Sequence, residues 1–498
     1  MNEPHRGVAT DDLAPARAII DVGSNTVRLV IYGGPERAPV VLHNEKVTAR
    51  LGKGVAETGR LSKKAAAGAL AALARYRCLL DLRGVTRVDV VATAAARDAA
   101  DGAEFLARIA ELGFAPRLLA GDEEALTSAA GVLAAFPGAS GVVADLGGGS
   151  LELVDIAAGA ASHGVSLPLG TLRLAAVRAA SPTAFADRIG AVLAEAGWST
   201  APGATLYLVG GSLRAFARAA MLQLAWPSDD PHGFALPADR ALAMARSLAG
   251  RSTDDLTPIP GISAGRLAAL PDAAALLLAL IRQLAPSRLV FSSWGLREGV
   301  LFSGLDPAIA AQDPLAEGVA AFAAHQGCTS KAARAVTAWT ATVRPTAVSA
   351  PTDAALRHAA TALSLAAATI EPNLRAELAV AWALRKRWIG IDARGRVLLG
   401  AALLANTGAL DLPKPWRQLA PADDLAAAQG WGLAVRLCRR FSGGSPAALV
   451  ASSLAVDDGR LRLRVTPAIA PLVNEGVERD LKALAQHLGL KPLTEIAG

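Results

Sequence analysis

Two stretches of the chain share one pattern of apolar and polar positions. Residues 17–32, RAIIDVGSNTVRLVIY, run apolar, turn, apolar: Ala18 to Ile20 predict a strand, Gly23-Ser24-Asn25 a tight turn and Val27 to Tyr32 the return strand. Asp21 stands at the tip of this hairpin. Residues 141–156, GVVADLGGGSLELVDI, repeat the layout. Setting Asp21 on Asp145, an offset of 124 residues, also places Gly23 on Gly147, Leu29 on Leu153 and Val30 on Val154. Two such hairpins one domain apart predict an internal duplication.

Around them the periodicity alternates. Helices are expected at 62–82 and 101–112, with strands near 86–92 and 115–120. After the second hairpin come a helix at 183–197, a strand at 204–209, a helix opened by Gly210-Gly211-Ser212, a helix at 272–284 and a strand near 288–292. Beyond Asp306-Pro307 helical stretches dominate (313–326, 330–342, 353–370, 373–388, 396–406, 423–440 and 475–488), broken by strand-like runs near 451–455 and 460–466. A boundary is expected between about 303 and 315, where Gly, Pro and Asp cluster.

At 498 residues the chain is too long for one core, and 52% hydrophobic against 19% charged residues excludes a largely disordered chain. A net charge of +6, spread along the sequence, is too mild to imply nucleic-acid binding. Cys78, Cys328 and Cys438 are far apart, odd in number and in no metal-binding spacing, so buried thiols in a reducing compartment are expected. The N-terminal run MNEPHRGVATDDLAPAR lacks the apolar core of a signal peptide, and the longest apolar run, 273–281, is about half of what a membrane span needs. A cytoplasmic protein with no membrane and no nucleic-acid partner is the expectation.

Small residues after a strand expose backbone N–H groups that converge on an anion, and a side chain there would block the approach. Gly147-Gly148-Gly149-Ser150 fits this, with Asp145 placed to hold a cation or position water. Gly23, Ser24, Asn25 and Thr26 beside Asp21 offer the same geometry, and Gly210-Gly211-Ser212 adds a helix start. Plain hairpin turns would also use Gly and Asn. Two loops with matching flanks and a third Gly-Gly loop favour phosphate.

The two Asp-x-Gly hairpins and the third loop resemble the superfamily of acetate kinase, sugar kinases, Hsp70 and actin, whose paired domains close on a nucleotide or polyphosphate. IDVGSNTVRLV (20–30), ATAAARDAADG (92–102), LAGDEEAL (119–126), VADLGGGSLELV (143–154), LPLGTLRL (167–174), VGGSLRAFAR (209–218) and WGLREGVL (294–301) stand in the order and spacing of the exopolyphosphatase and guanosine pentaphosphate phosphohydrolase (Ppx/GppA) family. The resemblance covers about 17–305 and, more weakly, the rest. It implies an α/β fold with two actin-like (ribonuclease H-like) domains flanking a cleft, 1–135 and 136–305, and a mostly helical domain, 306–498, resembling a degenerate HD domain.

The resemblance further implies that Glu124 is the general base, although Asp122, Glu123 and Glu124 would also open a helix, where carboxylates suit the macrodipole. Arg97 would face the phosphate chain, and Glu152 would share Mg²⁺ or another divalent cation with Asp145. Arg266 matches a position at the guanosine end of a pentaphosphate. Position 151 is Leu where the family usually has Thr, which removes one hydroxyl donor. Arg297 and Glu298 are expected to pair with each other. In the HD-like part, on the helix that carries His358, Ser364-Leu365 stands where a His-Asp or Ser-Asp pair would bind metal, and neither His325 nor His487 has an acidic neighbour in suitable register. Arg385-Lys386-Arg387 between Trp382 and Trp388 is a basic helix end that would guide a polyanion or simply be solvated.

The implied function is release of orthophosphate from linear polyphosphate, by a homodimer. Guanosine pentaphosphate hydrolysis and a non-catalytic polyphosphate- or nucleotide-binding regulator are the alternatives. A sugar or acetate kinase relative would need an acceptor site, for which there is no signature.

Overall fold

The computed structural model describes residues 15–180, 184–252, 255–343 and 351–497. The N-terminal run MNEPHRGVATDDLAPAR and the start of the expected 183–197 helix lie largely or partly outside them. The chain forms two compact units, one of residues 1–224 and 231–312, the other of residues 225–230 and 313–498.

The first unit holds two sheets of matching plan. In the first, β1 (Pro15–Val22), β2 (Val27–Gly33), β3 (Val40–Val47), β4 (Val88–Ala92) and β5 (Pro116–Leu118) are ordered β3-β2-β1-β4-β5. In the second, β6 (Gly141–Leu146), β7 (Leu151–Ala157), β8 (Ala160–Leu167), β9 (Thr205–Val209), β10 (Ala235–Pro237) and β11 (Arg288–Phe291) are ordered β10-β11-β9-β6-β7-β8. Each begins with an antiparallel meander, β1-β2-β3 or β6-β7-β8, and continues through a parallel neighbour of its first strand, β4 or β9. This is the duplicated actin-like plan. Ala18, Ile19 and Ile20 are all buried because both faces of β1 are covered, which is why the strand reads as an unbroken apolar run.

The helix Gly121–Ala135 and the helix Leu296–Phe302 cross closely. A Cβ at Gly131 would collide with the Gly295 carbonyl, and one at Gly299 with that of Thr127. Val300 and Leu301 then pack with Ile19, Val30, Tyr32 and Val91 of the first sheet and with Leu119 just after it. One short helix thereby joins the first sheet to the helix that carries Glu124.

The second unit is mostly helical, with Ala393–Thr407 buried along nearly its whole length. A Cβ at Gly432 would strike the Ala402 carbonyl, so glycine lets the helix Ala422–Ser442 pack directly on it. A small sheet, β12 (Ser452–Asp457), β13 (Arg460–Val465) and β14 (Lys491–Ile496), completes the unit. Residues 225–230 belong to it through Ser228 Oγ, which donates to the Leu384 carbonyl, and Asp230, which accepts a fork from Arg387.

One expectation needs correction. Cys78 is exposed, whereas Cys328 and Cys438 are buried. The helix Lys63–Leu82 buries the face of Leu70, Leu73, Tyr76 and Leu80, and position 78 falls off that stripe. The Arg385-Lys386-Arg387 run follows the end of the helix Arg375–Leu384, with Arg385 and Arg387 exposed as in a solvated helix end. Lys386 Nζ lies 4.9 Å from the Phe322 ring centre and 4.7 Å from that of Trp388, and burial lowers its pKa. Arg387 is bound to Asp230. Among the described residues no helix is long and apolar enough to cross a membrane. The apolar run at 273–281 is the buried face of the helix Leu270–Leu284.

Candidate active site

The two hairpin loops are built alike down to their hydrogen bonds. The Gly23 amide donates to the Thr26 carbonyl and the Gly147 amide to that of Ser150, each at 3.0 Å. The Ser24 and Asn25 carbonyls accept from Gly52 and Arg50, and those of Gly147, Gly148 and Gly149 from Thr171, Leu172 and Gly170. With the carbonyls engaged, the amides of residues 24–26 and 148–150 donate to no acceptor among the described residues. Clustered free amides of this kind form an anion nest. The nests face each other: a Cβ at Gly148 would lie 3.1 Å from the Asn25 nitrogen, and one at Gly149 2.6 Å from Ser24 Oγ.

The third loop lies beside the second. Gly210, at φ 116°, sits so close to the Leu146 carbonyl that a Cβ would collide with it, and the helix Gly211–Gln223 starts there. A Cβ at Gly211 would lie 2.8 Å from Arg266 Nε, which places Arg266 over this loop. Ser24, Ser150 and Ser212 are all buried. Leu151 is fully buried, so the residue in place of the family's Thr belongs to the core and not to the loop.

Glu124 lies in the first turn of the helix Gly121–Ala135 and is only 9% exposed. Arg97 Nη1 donates to its Oε2 at 2.8 Å and to the Leu119 carbonyl at 3.0 Å. Glu123, by contrast, is directed outward and pairs with Arg117 at 3.2 Å. One turn beyond Glu124, Ser128 Oγ donates to Asp145 Oδ2 at 2.5 Å. Asp145 stands opposite Glu152 in the β6-β7 register and Glu152 opposite Ser166 in the β7-β8 register, and Ser166 Oγ donates to Glu152 Oε1 at 2.8 Å.

Burial pushes the Glu124 carboxyl up to about 7; Arg97 opposes the shift, and Asp145 and Asp21 add to it. Glu152 is held well above the usual carboxylate range, first by burial and then by the charges of Glu124 and Asp145. Asp145 is raised by burial, against Ser128 and Arg214. None of the groups acting most strongly on Glu152 is basic. The carboxylate oxygens of Asp145 and Glu152 fit Mg²⁺, which takes one or two carboxylates together with substrate phosphates and waters. No group of three or more His, Cys, Asp or Glu among the described residues could hold a metal by itself.

On the first lobe the corresponding row is cationic. Asp21 stands opposite Arg28, and Arg28 opposite Lys46, in the strand registers. Under the 124-residue offset Arg28 occupies the position of Glu152. Burial lowers the Lys46 pKa, and the nearby charges of Arg266, Arg28 and Arg214 lower it further. Arg297 donates to Asp21 Oδ2 at 2.9 Å, while Glu298 accepts from the Tyr32 hydroxyl and the Gly295 amide. The expected Arg297–Glu298 pair is thus replaced by one bond to the first hairpin and one to its return strand. Arg28, Lys46 and Arg214 are absent from the set read from sequence; the register of Arg28 against Asp21 is the signal that could have found it. Arg97, expected to face phosphate, is engaged by Glu124.

Residues 30–308, more than half of the chain, match the model of the Ppx/GppA phosphatase family. The chain belongs to this family. It is similar to Exopolyphosphatase 2 of Mycobacterium tuberculosis, with 37% identity over 126 residues, 23% of this chain and 40% of that protein. The match therefore spans less than half the length of that relative. A crystal structure of the Aquifex aeolicus Ppx/GppA family member superposes with a TM-score of 0.50 at 26% identity, over 57% of this chain and 96% of that one. The exopolyphosphatase of Cytophaga hutchinsonii, at 22% identity, shares the fold with a TM-score of 0.51 over 57% of this chain and 96% of its own. The Ppx/GppA match begins at residue 30, so the loop Gly23–Thr26 is tied to it by the repeated hairpin geometry.

Proposed function

We propose that the protein is an exopolyphosphatase that removes the terminal phosphate of linear polyphosphate. The observation that carries the reading is two facing nests of free amides beside a buried carboxylate whose pKa lies near neutrality. The amides of residues 24–26 and 148–150 bind the terminal phosphoryl oxygens. Arg28, Lys46, Arg214 and Arg266 accommodate the charge of the chain behind them. Glu124, oriented by Arg97, takes a proton from a water molecule whose oxygen bonds to the terminal phosphorus. The bridging P–O bond breaks, its electron pair leaves with the shortened chain, and orthophosphate is released. Phosphoryl transfer of this kind depends on positioning and charge neutralisation. Asp145 and Glu152 would hold a divalent cation, Mg²⁺ by their chemistry, which supplies part of that neutralisation.

Guanosine pentaphosphate is the second substrate proposed, on the match of Arg266, which lies at the Gly210-Gly211 loop, to the position at its guanosine end. Phosphate release from long-chain polyphosphate, guanosine pentaphosphate and ATP, each with Mg²⁺ and with EDTA, tests the proposal. Metal-dependent release from polyphosphate is expected. Binding without release from any of the three would leave the regulator reading in its place.

A further inference from the structure

The second unit contains a cavity of about 620 Å³ lined by Arg375, Arg436, Arg439, Arg440 and Asn406. We infer that this cavity binds a small anion bearing a di- or triphosphate group, at a site formed wholly by the second unit and additional to the amide nests of the first.

Cations at the end of a helix ordinarily complement its dipole, and that alone would account for Arg436, Arg439 and Arg440 in the last turns of Ala422–Ser442. It does not account for Arg375, the first residue of the helix Arg375–Leu384, where the dipole disfavours a cation. Arg375 is fixed there by Nε and Nη2, which donate to the carbonyls of Ile370 at 2.6 Å and Ala368 at 2.9 Å. Two helices thus bring four guanidinium groups to one cavity. Asp480 is the carboxylate that answers them, accepting from Arg436 Nε at 3.0 Å and Arg440 Nε at 2.5 Å. Among the described residues Arg439 has only a 3.5 Å contact with Asn406 Oδ1. Its pKa is lowered by burial and by the charges of Arg375, Arg436 and Arg440 around it.

Among the described residues, four guanidinium groups and the one carboxylate bonded to two of them leave an excess of positive charge that a triphosphate group would neutralise. The tethering also leaves suitable donors. Arg436 and Arg440 are each held through Nε, so their terminal nitrogens donate to no acceptor among the described residues. Guanidinium groups pre-positioned in this way match phosphate oxygens in pairs. The volume lies in the range of small-molecule sites. No aromatic residue lines the cavity, so the phosphate group, and not a stacked base, is what the site reads.

Hydrogen exchange of the full chain, followed by mass spectrometry, tests this locally. Tripolyphosphate and ATP are expected to slow exchange in 436–444 and at the start of Arg375–Leu384 to the same extent. Arg439→Gln should weaken that protection about tenfold or more, as loss of a charged hydrogen-bonding partner does, with Arg439→Lys restoring part of it. Protection of residues 23–26 and 147–150 and phosphate release should stay unchanged in both variants, which also establishes that they fold. No protection of 436–444, equal protection by sulfate at matched ionic strength, protection by ATP without tripolyphosphate, or protection that survives Arg439→Gln would each overturn the inference.

Discussion

Replacing Glu124 with Gln separates its charge from its shape. The amide keeps the size and can still accept from Arg97, but it takes no proton from water. General-base catalysis contributes about 10²–10⁴-fold, so kcat for polyphosphate should fall by that factor with KM nearly unchanged. Glu123→Gln, whose parent residue pairs with Arg117 at the surface, should leave turnover near wild type. Stability should move in the opposite direction. The Glu124 carboxyl is displaced from 4.5 to about 7, so between these values the native chain holds a proton that the unfolded chain has released. Wild-type stability from this group is full below 4.5 and is lost as the pH rises through about 7. At about 1.4 kcal/mol per pH unit of displacement, the loss is about 3 kcal/mol. Gln is neutral throughout and escapes it. Urea unfolding of both proteins should therefore give matching stability at low pH and a gap in favour of the variant above neutrality, while wild-type kcat rises through the same range as the base ionises. A variant that retains turnover refutes the catalytic role, and a stability gap that does not change with pH refutes the electrostatic reasoning.

Gly148→Val should abolish tripolyphosphate binding in calorimetry with the fold retained by circular dichroism, because the added atoms enter the space where the Asn25 amide lies 3.1 Å from the new Cβ. Gly210→Ala combines a φ of 116° with a collision on the Leu146 carbonyl and should destabilise by about 2 kcal/mol or more, measured as a lowered urea midpoint. Arg297→Met removes the partner of Asp21 at a site where both side chains are 16% exposed, and should cost about 3 kcal/mol together with most of the activity; Asp21→Asn in the same background should recover part of the stability but not the activity.

The central strands and most helices were legible because each carries a period that burial enforces. The outer strands were not. β3 and β8 are made almost wholly of half-buried and exposed positions, with His43, Asn44, Glu45, Ser162 and His163 among them, and such runs resemble loops until a neighbouring strand fixes their register. Lys46 was missed for that reason, since its place beside Arg28 exists only through the β2-β3 pairing. Charge read along the chain is similarly incomplete. Glu123 and Glu124 are equivalent in composition and differ by which side of a helix turn is buried. Arg385, Lys386 and Arg387 form one basic run in sequence, but in the structure Lys386 lies against two aromatic rings and Arg387 binds Asp230. The cavity in the second unit takes its charges from residues more than sixty positions apart, which no local pattern reveals.

The duplication explains why two nearly identical loops can do different work. Each repeat supplies the same strand, turn and free amides, with an aspartate at the same place, so backbone geometry alone would give two equivalent anion sites. The difference lies one strand away. Opposite Asp21 the first repeat carries Arg28, followed across the sheet by Lys46; opposite Asp145 the second carries Glu152, followed by Ser166. In the proposed reaction the first row attracts phosphate, and the second, with Glu124 close enough for its charge to act on Glu152, gathers negative charge that would favour a bound cation and raises its carboxylate pKa values. A general base active near pH 7 needs that second environment, and a polyanion needs the first. On the proposed function, a reversal of sign at one duplicated position, within unchanged loop geometry, divides substrate binding from water activation.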